Sequence, residues 1–134
     1  AMALHLNTCA IAVNSAGILR RWRYWLCISA NAYRYPWYNA VPTETVKIMG
    51  RHAKDQRARY IMEPEDCPPG TSVTGAALAL CRAAGVKQVI LCGVDMSPEY
   101  PHRDALQALI DRYRADGVEV YTASPTALEL PQWS

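Results

Sequence analysis

Residues 70–95, GTSVTGAALALCRAAGVKQVILCGVD, constrain this chain more than any other stretch. Pro68 and Pro69 rule out a helix just upstream, because each lacks an amide hydrogen and restricts the residue before it. Gly70 and Gly75 permit backbone shapes and close approaches that a Cβ would block. Thr71, Ser72 and Thr74 place hydroxyls where a helix begins, so one of them is the expected N-cap. The same loop suits an anion, since a helix start carries unpaired amides and a partial positive charge. No lysine follows as a P-loop requires, so capping and anion binding both stand as readings.

The helix is predicted over 74–84. It is apolar on nearly every face, with Arg82 its one charge, and so packs against a sheet or a partner. Gly85 is the expected left-handed C-terminal cap. A strand is predicted over 86–94. The unbroken apolar run Val89-Ile90-Leu91-Cys92 predicts cover on both faces, as in parallel α/β sheets. Asp95 then stands at the carboxyl end, the edge where open α/β sheets bind ligands.

The 134 residues are expected to form one domain with a single core. A formal charge of +2 is too small to point to nucleic acid. No run of about 18 apolar residues exists, so no membrane span is expected. With no signal peptide visible either, the expected compartment is the cytoplasm. Cys9, Cys27, Cys67, Cys81 and Cys92 are scattered and form no C-x-x-C pair. Reduced core thiols are expected, with neither a zinc site nor a disulfide framework. Phe is absent beside eight Tyr and four Trp, whose polar tips need partners when buried.

Upstream, residues 2–8 read as the end of an element or a disordered lead. A small buried strand is predicted over 9–13, with Asn14 and Ser15 at its carboxyl end. Residues 16–21 form a short connection and 22–29 a second strand. The loop 31–38 carries Tyr33, Tyr35, Trp37 and Tyr38, expected to be a lid over a small ligand or a contact between copies of the chain. Short strands are predicted over 45–49 and 60–62 from their β-branched and apolar content. Between them, 51–59 is strongly charged and reads as a solvated helix or turn, with His52 on the surface. After Asp95, a loop leads to a helix over 104–115. Leu106, Leu109, Ile110 and Tyr113 form its apolar stripe, opposite Gln107, Asp111 and Arg114. Gly117 closes it, a strand is predicted over 118–121, and a polar turn with a short helical segment over 122–130. Late in the chain strands alternate with helices, which predicts an α/β fold with a largely parallel sheet.

If the strands are parallel, their carboxyl ends gather Asn14, Ser15, the 70–75 loop, Asp95 and the loop to His102. His102 follows Asp95 by seven residues and precedes a helix. It is a candidate general base near neutral pH, and equally a loop histidine that helps start the helix. Asp95 is a candidate site residue or an anchor for its own loop. There is no nucleophile elbow, metal motif or G-x-G-x-x-G.

Thr71-Ser72-x-Thr74-Gly75, the alanine-rich helix, and the strand ending Cys92-Gly93-Val94-Asp95 resemble the bacterial lipooligosaccharide sialyltransferase family. They also resemble the related 6-hydroxymethylpterin diphosphokinase-like family. The likeness extends through His102, the following helix, Gly117-Val118-Glu119-Val120-Tyr121 and Ser124-Pro125-Thr126-Ala127-Leu128. It covers about residues 10–130 and is specific from Gly70 onward. The resemblance implies a Rossmann-like three-layer α/β domain with a mainly parallel central sheet. It implies that His102 is the base that deprotonates an acceptor hydroxyl. It also implies that Asn14, Ser15, Thr71, Ser72, Thr74, Gly75 and Asp95 line the nucleotide site.

The family's Gly-x-Gly-Pro-Ser segment has no counterpart in these residues. The expectation is a trimmed relative, or one whose phosphate-binding surface another chain supplies. The leading expectation is a sialyltransferase-like or nucleotide-sugar transferase-like domain with a CMP-sugar donor and no metal. A non-catalytic nucleotide-binding or assembly module is the alternative, forming a homo-oligomer through the aromatic loop 33–38. A pterin diphosphokinase-like transferase is the third, and it alone would need magnesium.

Overall fold

A computed structural model describes residues 10–51 and 55–134. The predicted lead over 2–8, Cys9 and His52 lie outside the described residues. The described residues form a mixed α/β fold with a four-stranded parallel sheet, a two-stranded parallel sheet and two α-helices. It divides into two compact units at the junction of Cys67 and Pro68.

The first unit holds β1 (Ile11–Val13), β2 (Tyr24–Cys27), β3 (Val46–Gly50) and β4 (Tyr60–Met62). They are hydrogen-bonded in the order β1-β2-β3-β4, all parallel, with Ile11 opposite Tyr24, Tyr24 opposite Val46 and Ile48 opposite Tyr60. Parallel neighbours need a crossover of a dozen or so residues. Here the crossovers use 3-10 turns, Asn14–Ile18 after β1 and Ala32–Arg34 with Pro36–Asn39 after β2. Every residue of β2 is buried, as its place between β1 and β3 requires. Trp25 centres a core with Ala12, Cys27, Tyr38, Val41 and Met49. Its indole is fully buried and donates from Nε1 to the Asn14 carbonyl at 2.7 Å. Lys47, opposite Trp25 in register, is buried too. Its ammonium donates to the carbonyls of Pro42 at 2.9 Å and Thr45 at 3.1 Å, and burial lowers its pKa. Gly50 admits the close approach of Ile28, whose carbonyl oxygen would lie 2.7 Å from a Cβ there.

The aromatic loop differs from expectation. Tyr38 is core and Trp37 half-buried against Trp25, so Tyr33 and Tyr35 alone of its four aromatics are exposed. Trp37 and Tyr38 pack against Trp25, so this loop offers Tyr33, Tyr35 and the uncovered part of Trp37 outward. Cys27 is a buried thiol, pushed up to about 11 chiefly by that burial.

The second unit holds α1 (Ser72–Ala83), β5 (Gln88–Leu91), α2 (Arg103–Ala115) and β6 (Glu119–Thr122). β5 and β6 pair in parallel, with Gln88 opposite Glu119. Gly85, at φ 79°, ends α1 as predicted. Val86 donates to the Cys81 carbonyl and Gly85 to that of Arg82, the pair of bonds that defines a Schellman cap. Gly117 repeats the arrangement after α2, with Val118 bonded to Tyr113 and Gly117 to Arg114. Leu78, Leu91, Leu106, Leu109, Ile110, Val118 and Val120 form the core.

Three expectations fail in this unit. β5 is not covered on both faces: Ile90 is 37% exposed and Cys92 is exposed as well. Side chains along a strand alternate between its faces, and the face that carries Gln88 and Ile90 is exposed while Leu91 is buried. Gln107 is buried rather than solvent-facing. Its side chain accepts from the Glu129 amide at 2.7 Å and donates to the Glu129 carbonyl at 3.3 Å, because the C-terminal segment runs across that side of α2. The predicted helical segment after β6 is irregular. Its backbone bonds go instead to the β5 exit, Ala127 donating to the Asp95 carbonyl at 2.6 Å. No helix among the described residues is long and apolar enough to cross a membrane.

Candidate functional site

In the second unit the polar residues meet where α1 and α2 begin. Gly70 takes φ 72°, which turns its carbonyl toward the residue preceding α2. His102 Nδ1 lies 2.8 Å from that carbonyl oxygen, 32 positions away in sequence. A carbonyl oxygen only accepts, so Nδ1 carries the proton. In the neutral ring Nε2 is then the bare nitrogen, the form a general base needs. The Tyr100 ring packs edge-on against the imidazole, with centroids 5.4 Å apart.

The start of α1 corrects the capping prediction. Thr71 occupies the N-cap position, but its hydroxyl donates to the Pro68 carbonyl at 2.7 Å and makes no cap. Thr71 is buried, and a Cβ on Gly75 would fall inside its side chain. Gly75 is therefore required for Thr71 to turn back. Ser72 sits at φ 61°, a left-handed conformation that is uncommon outside glycine and costs of order 1–3 kcal/mol. The Ser72 and Thr74 hydroxyls bond to no protein group among the described residues. The helix thus presents a first turn without a side-chain cap, beside two uncommitted hydroxyls.

Asp95 is an anchor in hydrogen bonding. Its carboxylate Oδ1 accepts from the Met96 amide at 2.7 Å, and its carbonyl holds Ala127 and the Thr126 hydroxyl. Arg103 was not singled out from the sequence. It donates to the Ala127 carbonyl at 2.9 Å, while its Nε is buried without a partner. It also pairs with the adjacent Asp104 at 3.1 Å, but the contact with Ala127, 24 residues away, is not visible in the local sequence.

Asn14 and Ser15 belong to the first unit. Asn14 follows β1 at φ 50°, a region asparagine tolerates better than most residues. The Trp25 indole pins its carbonyl, and its side-chain Oδ1 is buried without a partner. Ser15 is exposed.

The same unit has a network the sequence did not reveal. Tyr38 donates to Asp55 Oδ2 at 2.5 Å, and Arg57 binds the same carboxylate while its guanidinium lies 4.7 Å from the Tyr38 ring centroid. The Arg57 hydrogen bonds hold the Asp55 carboxyl well below the usual carboxylate range, with help from Tyr38. Burial and the Asp55 carboxylate push the Tyr38 phenol up to about 12. The described residues of 51–59 are largely exposed and include a turn, as predicted for a solvated segment, and Asp55 and Arg57 within it also reach Tyr38.

Two recesses fall elsewhere. One of about 360 Å³ lies at the amino end of β6 among Arg114, Val118, Tyr121 and Pro131. One of about 210 Å³ lies at the exits of β2 to β4, among Ile28, Gly50, Arg51, Met62, Pro64 and Cys67. Arg51 beside it is engaged by Glu63 through two hydrogen bonds. Among the described residues no group of three His, Cys, Asp or Glu is placed to hold a metal ion.

These features define a class, a parallel α/β protein with polar groups at the strand exits and a histidine held by its Nδ1. Compared with protein-family models, with curated proteins and with solved structures, the chain gives no match to any of them.

Proposed function

We propose that the chain is a Rossmann-like, three-layer transferase domain of the sialyltransferase-like kind, acting on a CMP-activated sugar. The observation that carries this reading is the 2.8 Å bond from His102 Nδ1 to the Gly70 carbonyl. It leaves Nε2 to take the proton from an acceptor hydroxyl. The acceptor oxygen then bonds to the anomeric carbon of the sugar as the bond from that carbon to the phosphate oxygen breaks. The electron pair leaves with CMP. The uncapped first turn of α1 and the free hydroxyls of Ser72 and Thr74 would receive the phosphate charge.

The test is a thermal-shift screen of CMP, CMP-sialic acid, UDP-sugars, ATP with magnesium, and pterins. A ligand at about 100 times its dissociation constant adds roughly 2.7 kcal/mol. Cytidine nucleotides should shift the midpoint, and replacing Ser72 and Thr74 together by Ala should reduce that shift. His102→Ala should keep the shift while transfer falls by about 10²–10⁴-fold. A shift with ATP and magnesium or with pterins, but not with cytidine nucleotides, would move the reading to a diphosphokinase-like transferase.

A non-catalytic nucleotide-binding or assembly module is the second reading. It is favoured by one observation: neither recess of about 360 or 210 Å³ is lined by His102. A cytidine shift with no transfer activity would support it.

A further inference from the structure

We propose that the outer side of the 3-10 layer in the first unit docks on an anionic membrane surface. The turns Asn14–Ile18 and Pro36–Asn39 pack against each other, over the same buried indole. Trp25 donates to the Asn14 carbonyl, and Trp37 meets the Trp25 ring edge-on at 6.4 Å. The turn Ala32–Arg34 packs beside them. In and beside these turns, Leu19 is 76% exposed, Tyr33 59%, Tyr35 55% and Ile18 47%.

Charge selects the occupant. Residues 10–43 contain Arg20, Arg21, Arg23 and Arg34 and no Asp or Glu. Arg21 reaches forward to Glu44 at 3.1 Å, while the other three make no ion pair among the described residues. A second copy meeting this face about a two-fold axis would set arginine against arginine. An anionic surface is complementary to it.

The exposed aliphatic side chains separate lipid from nucleic acid. Arg34 lies over Tyr33 at 5.8 Å, Arg20 over Trp22 at 5.0 Å, and Trp37 stacks on Tyr35 at 5.5 Å, so each ring has one face covered and one open, which suits either surface. Exposed Leu19 and Ile18 contribute nothing to a phosphate backbone. At a bilayer they enter the headgroup boundary, where tyrosines are also at home and arginines meet anionic headgroups.

The experiment is flotation of the full chain with vesicles of phosphatidylcholine alone, and of phosphatidylcholine with phosphatidylglycerol, at low and high salt. The expected result is binding to the anionic vesicles only, released at high salt as the charges are screened. Arg34→Gln should weaken it about fivefold, as should Arg20→Gln. Leu19→Ser should weaken it about tenfold or more, with an unchanged circular dichroism spectrum because the side chain is exposed. Equal binding to neutral vesicles, or none to either, overturns the proposal. So does tight binding of an oligothymidylate that ignores Leu19→Ser, which assigns the surface to nucleic acid. A dimer that Leu19→Ser disperses, with no vesicle binding, assigns it to a second copy.

Discussion

β2 and β5 look alike in sequence and differ in the folded chain. Trp25-Leu26-Cys27 and Val89-Ile90-Leu91-Cys92 are both unbroken apolar runs. β2 has hydrogen-bonded neighbours on either side and buries every residue. β5 has one neighbour in its sheet, and its alternate residues reach solvent. An apolar run therefore specifies a strand, but the number of layers around it is set by distant residues. Among the described residues the first unit alone buries a lysine, Lys47, whereas its Arg21–Glu44 and Arg51–Glu63 pairs stay at the surface like Arg82–Asp116 in the second.

The largest expected effect is at the centre of the first unit. Trp25→Ala removes a fully buried ring and the donor that pins Asn14, and should cost about 3–5 kcal/mol in urea unfolding. A loss below about 1 kcal/mol would mean that the 3-10 layer does not depend on the indole. Asp55→Asn should cost less, about 1.5–3 kcal/mol at neutral pH, since it removes a charged acceptor shared by Tyr38 and Arg57. The sign of its pH dependence follows from the lowered carboxyl pKa. The ionised form is favoured in the folded state, so the contribution is complete above the unfolded carboxyl value of about 3.9 and is lost as pH falls below it. The gap between the native chain and the variant should narrow below about pH 4; a gap unchanged down to about pH 3 would contradict the assignment.

In the second unit, Gly75→Ala should cost about 1–3 kcal/mol, because the added methyl meets the Thr71 side chain. The double variant with Thr71→Gly should recover part of that loss. Recovery would show that the strain is steric, and its absence would point to the helix backbone itself.

Local signals were the legible ones. Gly85 and Gly117 announce Schellman caps because the left-handed residue and its bonds lie within six positions of each other. The stripe Leu106, Leu109 and Ile110 announces the buried side of α2 through helical spacing alone. Residues joined across the chain were not legible. Gln107 looks solvent-facing until Glu129 lies over it, and Tyr38 looks like a surface aromatic until Asp55 and Trp25 take it. The hydroxyls before α1 looked like caps because propensity reports residue type, whereas Thr71 spends its hydroxyl on Pro68. His102 and Gly70 were both legible as candidates, but the bond between them was not.

The smallest expected effect is the one that tests the comparison of the two strands most directly. Ile48 lies in β3 and is fully buried, so Ile48→Ala should cost about 2–5 kcal/mol through lost transfer energy and a residual cavity. Ile90 is the same residue type in β5, but with 37% of its surface exposed, its neighbours form no closed cavity around it. Solvent can fill the space that Ile90→Ala vacates, and the expected loss is below about 1 kcal/mol. Measured in the same urea series, the two truncations hold chemistry constant and vary only cover. A near-equal loss would mean that the outer face of β5 is packed in solution, by a second copy or another segment. A concentration-dependent midpoint for the native chain, absent in Ile90→Ala, would identify the second copy.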